Sequence, residues 1–202
     1  TSVKLGGKDV PAGTYALFAK LGQNEWTIIL NKAPQQWGAY SYDPKNDVVS
    51  VAVKPVKLAE AVETFTIDLN DLRNDSATLN LIWEKTRVPV KIEVDTVKML
   101  VPQIEAVMAS NVAKKPYVDA AMFYLDNNLD LKKALAWMDA AIAAEPNAFY
   151  FVYRKAKVQA AMGDKAGALA TAKASIQGAN KAGGAIKEEY VRLNEALIAS
   201  LK

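Results

Sequence analysis

Hydrophobic and polar residues alternate with a period of two through much of the first half of the chain. The clearest runs cover residues 64–70, 78–84 and 88–95. This spacing predicts strands with one face in a core and the other in water. Three earlier runs are apolar on both faces, which is typical of central strands in a sandwich. They cover residues 14–20, 26–31 and 48–54.

Turn-forming residues separate these runs. Gly6-Gly7 predicts a tight hairpin, because glycine adopts positive φ without strain. Residues 10–13 (VPAG) fit a type I turn, and residues 42–47 form a polar loop between strands. Six to eight short strands at this spacing predict an antiparallel β-sandwich or a partly closed barrel over residues 1–95.

The spacing becomes helical from about Thr96, where Asp95 or Thr96 can cap a first helix. Pro102 is tolerated at a helix's first turn, so we expect that helix to begin near residue 101. Proline, glycine and N-cap residues then mark the breaks between further helices. The predicted helices cover residues 101–110, 117–127, 131–144, 148–162, 165–176 and 184–200.

The helical half repeats with a period of 34 residues. Ala134 maps onto Ala168, and Asp130 maps onto Asp164. This resembles the tetratricopeptide repeat, a helix-turn-helix of that period, and a generic antiparallel helical bundle is the alternative. The repeat predicts that Ala134 and Ala168 are buried at equivalent helix crossings.

The chain therefore has an α+β fold class with two domains. Residues 1–95 form the antiparallel β-sandwich, residues 96–115 a linker helix, and residues 116–202 a tetratricopeptide-like helical domain.

Composition removes most catalytic chemistry from consideration. The 202 residues include no histidine and no cysteine, which excludes Ser-His-Asp and Cys-His nucleophiles and most zinc, haem or copper sites. We therefore expect no cofactor and no metal. The net charge of +3 is too small and too scattered to indicate a nucleic-acid partner. No apolar run is long enough for a transmembrane segment, and the chain opens with no secretion signal.

A set of motifs in the strand half resembles the bacterial domain-of-unknown-function family 2911. They are residues 7–18 (GKDVPAGTYALF), 25–32 (EWTIILNK), 36–43 (QWGAYSYD), 53–55 (VKP), 63–67 (ETFTI) and 83–86 (WEKT). The resemblance implies an exported, periplasmic or secreted protein of Gram-negative bacteria whose signal peptide is removed. It supplies no catalytic residue.

The resemblance also predicts an incomplete sandwich. Family members carry several strands before the motif that starts at Gly7, whereas this chain begins close to it. We therefore expect residues 1–95 to leave an apolar strand edge open, which could accept another strand.

Aromatic residues supply the candidate binding site. Trp26 and Trp83 share a parity with apolar neighbours and are predicted to lie in the core. Trp37, Tyr40 and Tyr42 lie around Gly38, and Asn31 and Lys32 end the preceding strand. An exposed aromatic surface with an amide and a cation suits a neutral or acidic ligand, sugar-like or peptide-like. The alternative is that these aromatics simply close the sandwich.

The leading functional hypothesis is a non-catalytic extracytoplasmic binding or scaffolding protein. Its possible partner is a peptide, a protein or a carbohydrate, and its oligomeric state stays open. The alternative is a hydrolase of cell-envelope sugar or peptide that uses carboxylates or Lys and Tyr. The nearest carboxylate pairs are Glu60 with Glu63 and Glu188 with Glu189, although charged surface residues have the same spacing. Asp43, Asn46 and Asp47 fit a plain turn better than a calcium loop.

Overall fold

The computed structural model describes residues 1–201. The chain divides into two compact units, Thr1–Met99 and a second unit that begins at Leu100. The first unit contains all the strands and the second nearly all the helical residues, so the fold class is α+β. The division falls inside the predicted linker, residues 96–115.

The strand unit consists of two antiparallel sheets. One sheet has four strands in the order β2-β1-β7-β6, and the other has three in the order β3-β4-β5. Gly6 and Gly7 join β1 to β2 with φ of 52° and 80°, which confirms the predicted hairpin. The strands are β1 (Val3–Leu5), β2 (Lys8–Val10), β3 (Ala16–Lys20), β4 (Trp26–Asn31), β5 (Asp47–Val53), β6 (Val56–Asn70) and β7 (Ser76–Glu93).

The core lies between the two sheets. Ile28 and Val51 contribute to it from the three-stranded sheet, and Leu5, Leu81 and Val88 from the four-stranded sheet. All five are buried, and aliphatic side chains of this size gain most from removal from water. This is the sandwich-like layering that the period-two runs predict.

Strand β7 changes which side chains face the core part-way along its length. Leu79 and Leu81 pack in the core at odd positions, whereas Val88 and Val90 do so at even positions. Between them Glu84 has a left-handed backbone with φ of 49°. Such a residue interrupts the regular alternation of a strand.

One prediction for this strand is wrong. Trp83 is 54% exposed rather than in the core, and its indole N–H donates to the Glu63 carbonyl oxygen at 3.1 Å. Trp83 keeps the parity of Leu79 and Leu81, but the buried run on this side of Glu84 ends at Leu81. Trp26, by contrast, packs against the core.

Strand β6 also departs from the expected pattern. Phe65, Ile67 and Leu69 are 54%, 52% and 54% exposed, so the expectation that this face lies in a core is wrong. The reason is position, because β6 is the outermost strand and pairs only with β7 within the described residues. Strand β6 therefore has an exposed apolar face and one edge that no described strand pairs with, while the expectation of missing upstream strands stays a prediction.

Six helices follow. The first begins at Thr96, five residues earlier than expected, because the Asp95 carboxylate accepts the Lys98 backbone N–H at 2.8 Å. Pro102 therefore lies inside this helix and not in its first turn. The helices are α1 (Thr96–Ala109), α2 (Tyr117–Asp126), α3 (Leu131–Ala144), α4 (Phe149–Ala161), α5 (Lys165–Ala182) and α6 (Gly184–Ser200).

Residues 34 apart occupy equivalent places in α3 and α5. The Asp130 and Asp164 side chains cap the two helices, accepting backbone N–H groups in the first turn. Ala134 and Ala168 are both fully buried, as the period predicts. Met138 and Ala172 form a further buried pair at this spacing, as do Ala141 and Ser175. The tetratricopeptide-like character of this half stays a prediction.

Candidate functional site

The candidate site is a long connection between β4 and β5, residues 32–43, which we call the aromatic loop. One turn of 3-10 helix, Pro44–Asn46, follows the loop and has Asp43 as its N-cap. The Asp43 carboxylate accepts the Lys45 backbone N–H at 2.9 Å, which is the predicted role of a turn residue. The loop lies within the strand unit, and every residue that holds it belongs to that unit.

Asn31 joins the two ends of the aromatic loop. Its amide nitrogen Nδ2 donates to the Asp43 carbonyl oxygen at 3.0 Å and to Asp47 Oδ1 at 2.9 Å. Its oxygen Oδ1 accepts the Ala33 backbone N–H at 3.0 Å and Gln36 Nε2 at 3.4 Å. Asn31 has no exposed surface, so these bonds form without competition from bulk water.

Tyr42 forms a second anchor. Its hydroxyl donates to Asp47 Oδ2 at 2.7 Å, and its ring meets Phe18 of β3 edge to face with 5.0 Å between ring centroids. The hydrogen bond to Asp47 raises the pKa of Tyr42, and burial and the carboxylate charges of Asp47 and Asp43 act in the same direction. The two oxygens of Asp47 therefore hold both Asn31 and Tyr42.

Two aromatic side chains of the loop project into water. Trp37 is 87% exposed and Tyr40 is 90% exposed. Gly38 lies between them with φ of 56°, and a Cβ there would meet the Tyr40 ring at 3.4 Å. That contact would be an ordinary one, so it is the left-handed backbone that favours glycine here. The loop holds two large amphipathic rings at the surface from a buried hydrogen-bonded base.

The five predicted site residues fall into two groups. The side chains of Trp37, Tyr40 and Lys32 are exposed, whereas Asn31 is buried and Tyr42 is partly buried. The structure therefore places three of them where a ligand can touch them and two of them underneath. Tyr40 and Tyr42 do not share a strand face, because residues 39–41 form a turn closed by the Tyr42 N–H and the Ala39 carbonyl at 3.2 Å.

Two supporting residues were not predicted. Gln36 binds the Ala33 carbonyl oxygen through Nε2 at 2.7 Å, and Asp47 accepts from both anchors. The sequence does offer a reason to expect a role for Asp47. It begins the strand that follows a loop with several hydrogen-bond donors, and a carboxylate there can accept from them. Nothing in the sequence separates Gln36 from its neighbour Gln35.

Other candidate sites have less structural support. Glu60, Glu63, Glu188 and Glu189 are all exposed, so neither predicted pair forms a desolvated acid and base. Within residues 1–201, no three acidic side chains lie close enough together to hold a metal ion. A depression of about 330 Å³ beside the β6–β7 turn is lined by Arg73, Thr78 and Lys91, among others, and shares no residue with the aromatic loop.

Comparison with protein families gives one match. The model of the family described as "Protein of unknown function (DUF2911)" matches residues 1–92. The match covers the strand half of the chain. The matched segment contains the aromatic loop and almost all of the β6–β7 hairpin, which confirms the resemblance stated from the motifs. Comparisons with curated proteins and with solved structures found no match.

Across the described residues, no helix is both long enough and apolar enough to cross a bilayer.

Proposed function

We propose that the strand unit is a non-catalytic binding module that takes a sugar-like or peptide-like ligand on Trp37 and Tyr40. The observation that carries this proposal is the exposure of the two rings, 87% and 90%, on a loop whose base is fixed by the buried Asn31. Exposed rings on a loose loop lose conformational freedom on binding. Rings on an anchored loop lose less, which favours affinity.

The chemistry of the surface suits neutral or acidic ligands. Flat aromatic faces pack against the apolar faces of sugar rings and against peptide side chains, and the Tyr40 hydroxyl and the Trp37 indole N–H add hydrogen bonds. The exposed Lys32 at the end of β4 adds a positive charge that favours a carboxylate on the ligand. Its backbone N–H bonds to the Asn46 carbonyl oxygen at 2.9 Å, which fixes where that side chain starts.

The rest of the proposal concerns location and scaffolding. The family resemblance supports a periplasmic or secreted location, where envelope sugars and peptides are available. The equivalent buried positions in α3 and α5 support a repeat-like helical unit that offers a peptide groove. Fractionation of cells that express the natural full-length protein tests the location, and recovery in the cytosol would contradict it.

A titration with two probes tests the binding site. Chitotetraose serves as the neutral sugar probe and a triglutamate peptide as the acidic one, each followed by isothermal titration calorimetry. We expect wild type to bind at least one of them, and Trp37→Ala or Tyr40→Ala to weaken that binding by about tenfold, the effect of losing one stacked aromatic. Lys32→Ala should weaken the peptide probe selectively.

Trp83→Ala is the matched control. Trp83 is also a half-exposed tryptophan of the strand unit, but it lies in β7 and outside the aromatic loop. Its loss should leave binding unchanged. Equal losses from Trp83→Ala and Trp37→Ala would contradict the assignment of the site to the aromatic loop.

A further inference from the structure

The strand unit has a second surface of interest, distinct from the aromatic loop, where the edge of a strand is unpaired within residues 1–201. It is the free edge of β6 over residues 64–70, which we call the open edge. β6 is the outermost strand of its sheet, and the described residues place no strand against this side of it. The backbone N–H and C=O groups of an outermost strand can template another strand.

The open edge lacks the devices that usually protect sheet edges. Residues 64–70 (TFTIDLN) contain no proline and no lysine, and residues 66–70 pair with β7 in unbroken register. The other half of β6 differs, because its pairing with β7 shifts register twice between Lys57 and Thr66, and it carries Lys57, Glu60 and Glu63. Bulges and charges discourage strand addition. Residues 64–70 are therefore the part of β6 where the edge is regular enough to pair with another strand.

The open edge also carries an apolar row. Phe65, Ile67 and Leu69 alternate along one face, and each is more than half exposed. Three large apolar side chains in a row on an exposed strand are unusual for a monomeric surface. In antiparallel pairing, the Cβ atoms of directly opposite residues lie about 5 Å apart. A strand with apolar residues opposite Phe65, Ile67 and Leu69 would therefore pack against this row and shield it from water.

We propose that the occupant of the open edge is a second copy of this chain, paired antiparallel about a twofold axis at Ile67. In this register Ile67 faces Ile67 of the second copy, and Phe65 faces Leu69 of the second copy. Thr66 faces Asp68, and Thr64 faces Asn70. The apolar row therefore meets an apolar row, and no two like charges oppose each other between residues 64 and 70. The surface is self-complementary, as a twofold interface must be.

Neighbouring registers fit less well. An axis at Asp68 would set two carboxylates directly opposite each other, which destabilises a strand pair. An axis at Thr66 would place Glu63 against the apolar Leu69. The axis at Ile67 avoids both conflicts and uses the whole apolar row. The identity of these few side chains thus selects one register.

Charge-swapped variants test both the dimer and its register. In one variant Thr64→Lys and Asn70→Lys put lysine opposite lysine at both ends of the paired segment. In the other, Thr64→Glu and Asn70→Glu put glutamate opposite glutamate. Both positions are exposed, and they lie too far apart in one chain to affect each other. Sedimentation equilibrium of the full chain over a wide concentration range measures association.

We expect wild type to form dimers as concentration rises. Each charged variant should dimerise at least about tenfold more weakly, because two like-charge pairs replace neutral ones. An equimolar mixture of the two variants should form heterodimers, since lysine then faces glutamate at both ends. Ala59→Lys with Ala61→Lys is the matched control: it adds the same charge to exposed β6 positions outside the paired segment and should dimerise as wild type does.

Three results would overturn the proposal. A wild-type chain that stays monomeric at every concentration would mean that a second copy does not occupy the open edge. Variants that still dimerise would place the interface elsewhere. A mixture that does not associate would contradict the register. Circular dichroism checks that each variant folds, and if a double variant does not, Ile67→Lys sets two lysines on the axis by a single change and should give a folded monomer.

Discussion

The backbone N–H of Val94 donates a hydrogen bond to the carbonyl oxygen of Asp75, at 2.8 Å. The 18 residues of β7 lie between them. A straight strand of that length would separate its ends by about 60 Å, so β7 bends back sharply. Glu84, with φ of 49°, is the positive-φ residue within β7, and it lies where the core-facing positions change parity. The bend lets Leu81 and Val88, on either side of Glu84, enter one core.

Glu84 is therefore the position where backbone freedom should matter most in β7. Glu84→Gly removes the side chain that disfavours the left-handed backbone, whereas Glu84→Val adds a β-branched one. We expect the glycine variant to be at least as stable as wild type and the valine variant to lose about 1–2 kcal/mol. Urea unfolding followed by circular dichroism measures both.

The neighbouring Lys85 is the control, because it is equally exposed and its φ is not positive. There the order should reverse, since valine suits a strand better than glycine does. The same order at both positions would mean that the left-handed backbone of Glu84 contributes no strain.

Periodicity predicted most of the elements but not the bend. The strand runs at residues 26–31 and 48–54 and the helix at 131–144 agree closely with the observed elements. Trp83 was misplaced because parity does not report where the buried part of a strand ends. Only glycine or asparagine commonly marks a left-handed residue in sequence, and Glu84 is neither. The exposure of Phe65 depends on which strand is outermost, and local pattern does not report strand order.

Asn31 should be worth more to stability than any exposed residue of the aromatic loop. Asn31→Ala removes four hydrogen bonds and leaves the Asp47 carboxylate and the Ala33 N–H without this partner. We expect a loss of about 1–3 kcal/mol in the free energy of unfolding. The adjacent exposed Lys32→Ala should change it little. Hydrogen exchange at residues 33–43 should accelerate in Asn31→Ala alone, and equal protection in the two variants would contradict the role of Asn31 as anchor.

Tyr42 should lose its proton at higher pH than an ordinary tyrosine. Its hydroxyl donates to Asp47, and this bond, with burial, raises the pKa above the ordinary value of about 10. Because the folded pKa exceeds the unfolded one, the bond stabilises the fold fully below the ordinary pKa. That contribution is lost as pH rises through the raised value. The stability advantage of wild type over Tyr42→Phe should therefore shrink as the pH rises into the alkaline range.

Ultraviolet titration isolates this group. Subtracting the tyrosinate absorbance of Tyr42→Phe from that of wild type leaves the signal of Tyr42, and its midpoint should lie above the ordinary value. The variant should keep the packing of its ring against Phe18, since only the hydroxyl is removed. A midpoint at or below the ordinary value would mean that the bond to Asp47 does not form in solution.

The candidate site shows what residue types alone can predict. Trp37, Tyr40 and Tyr42 were predicted to form an exposed surface around Gly38, and the structure exposes the first two and partly buries Tyr42. The sequence could not predict that Asn31 is buried and Lys32 exposed, because this depends on how β4 is oriented where it ends. Asn31 is the last residue of β4 and Lys32 the first of the loop, so adjacent side chains point opposite ways.

Ala168 should not tolerate added volume. It is fully buried in α5, at the position that corresponds to Ala134 in α3. Ala168→Leu would force three extra carbon atoms into a packed helix contact. We expect a loss of about 1–3 kcal/mol in the free energy of unfolding. Ala170→Leu is the matched control, since Ala170 is exposed on the same helix and leucine is nearly as good a helix former as alanine. Equal melting temperatures for the two variants would count against the 34-residue repeat.

Ser175 of α5 is bonded to two other helices through its hydroxyl. The equivalent residue in α3 is Ala141, so we expect the hydroxyl to stabilise the protein at position 175 and not at position 141. The Ser175 Oγ donates to the Phe149 carbonyl oxygen of α4 at 2.9 Å and accepts Asn194 Nδ2 of α6 at 3.0 Å. Ser175→Ala should cost about 1–3 kcal/mol, because both partners are left with an unmet bond in a buried place. Asn194 keeps its bond to the Tyr190 carbonyl oxygen at 2.7 Å, so the loss should fall toward the lower end.

The equivalent position in α3 provides the reciprocal variant. Ala141 lies 34 residues before Ser175 and is also buried, without a hydroxyl. Ala141→Ser would bury a hydroxyl at a position of α3 that has none, so it should also destabilise the protein. Alanine is then preferred at position 141 and serine at position 175. A double-mutant cycle between Ser175→Ala and Asn194→Ala should show coupling of about 0.5–3 kcal/mol. Additive losses would mean that the bond between the two side chains contributes nothing to holding α5 against α6.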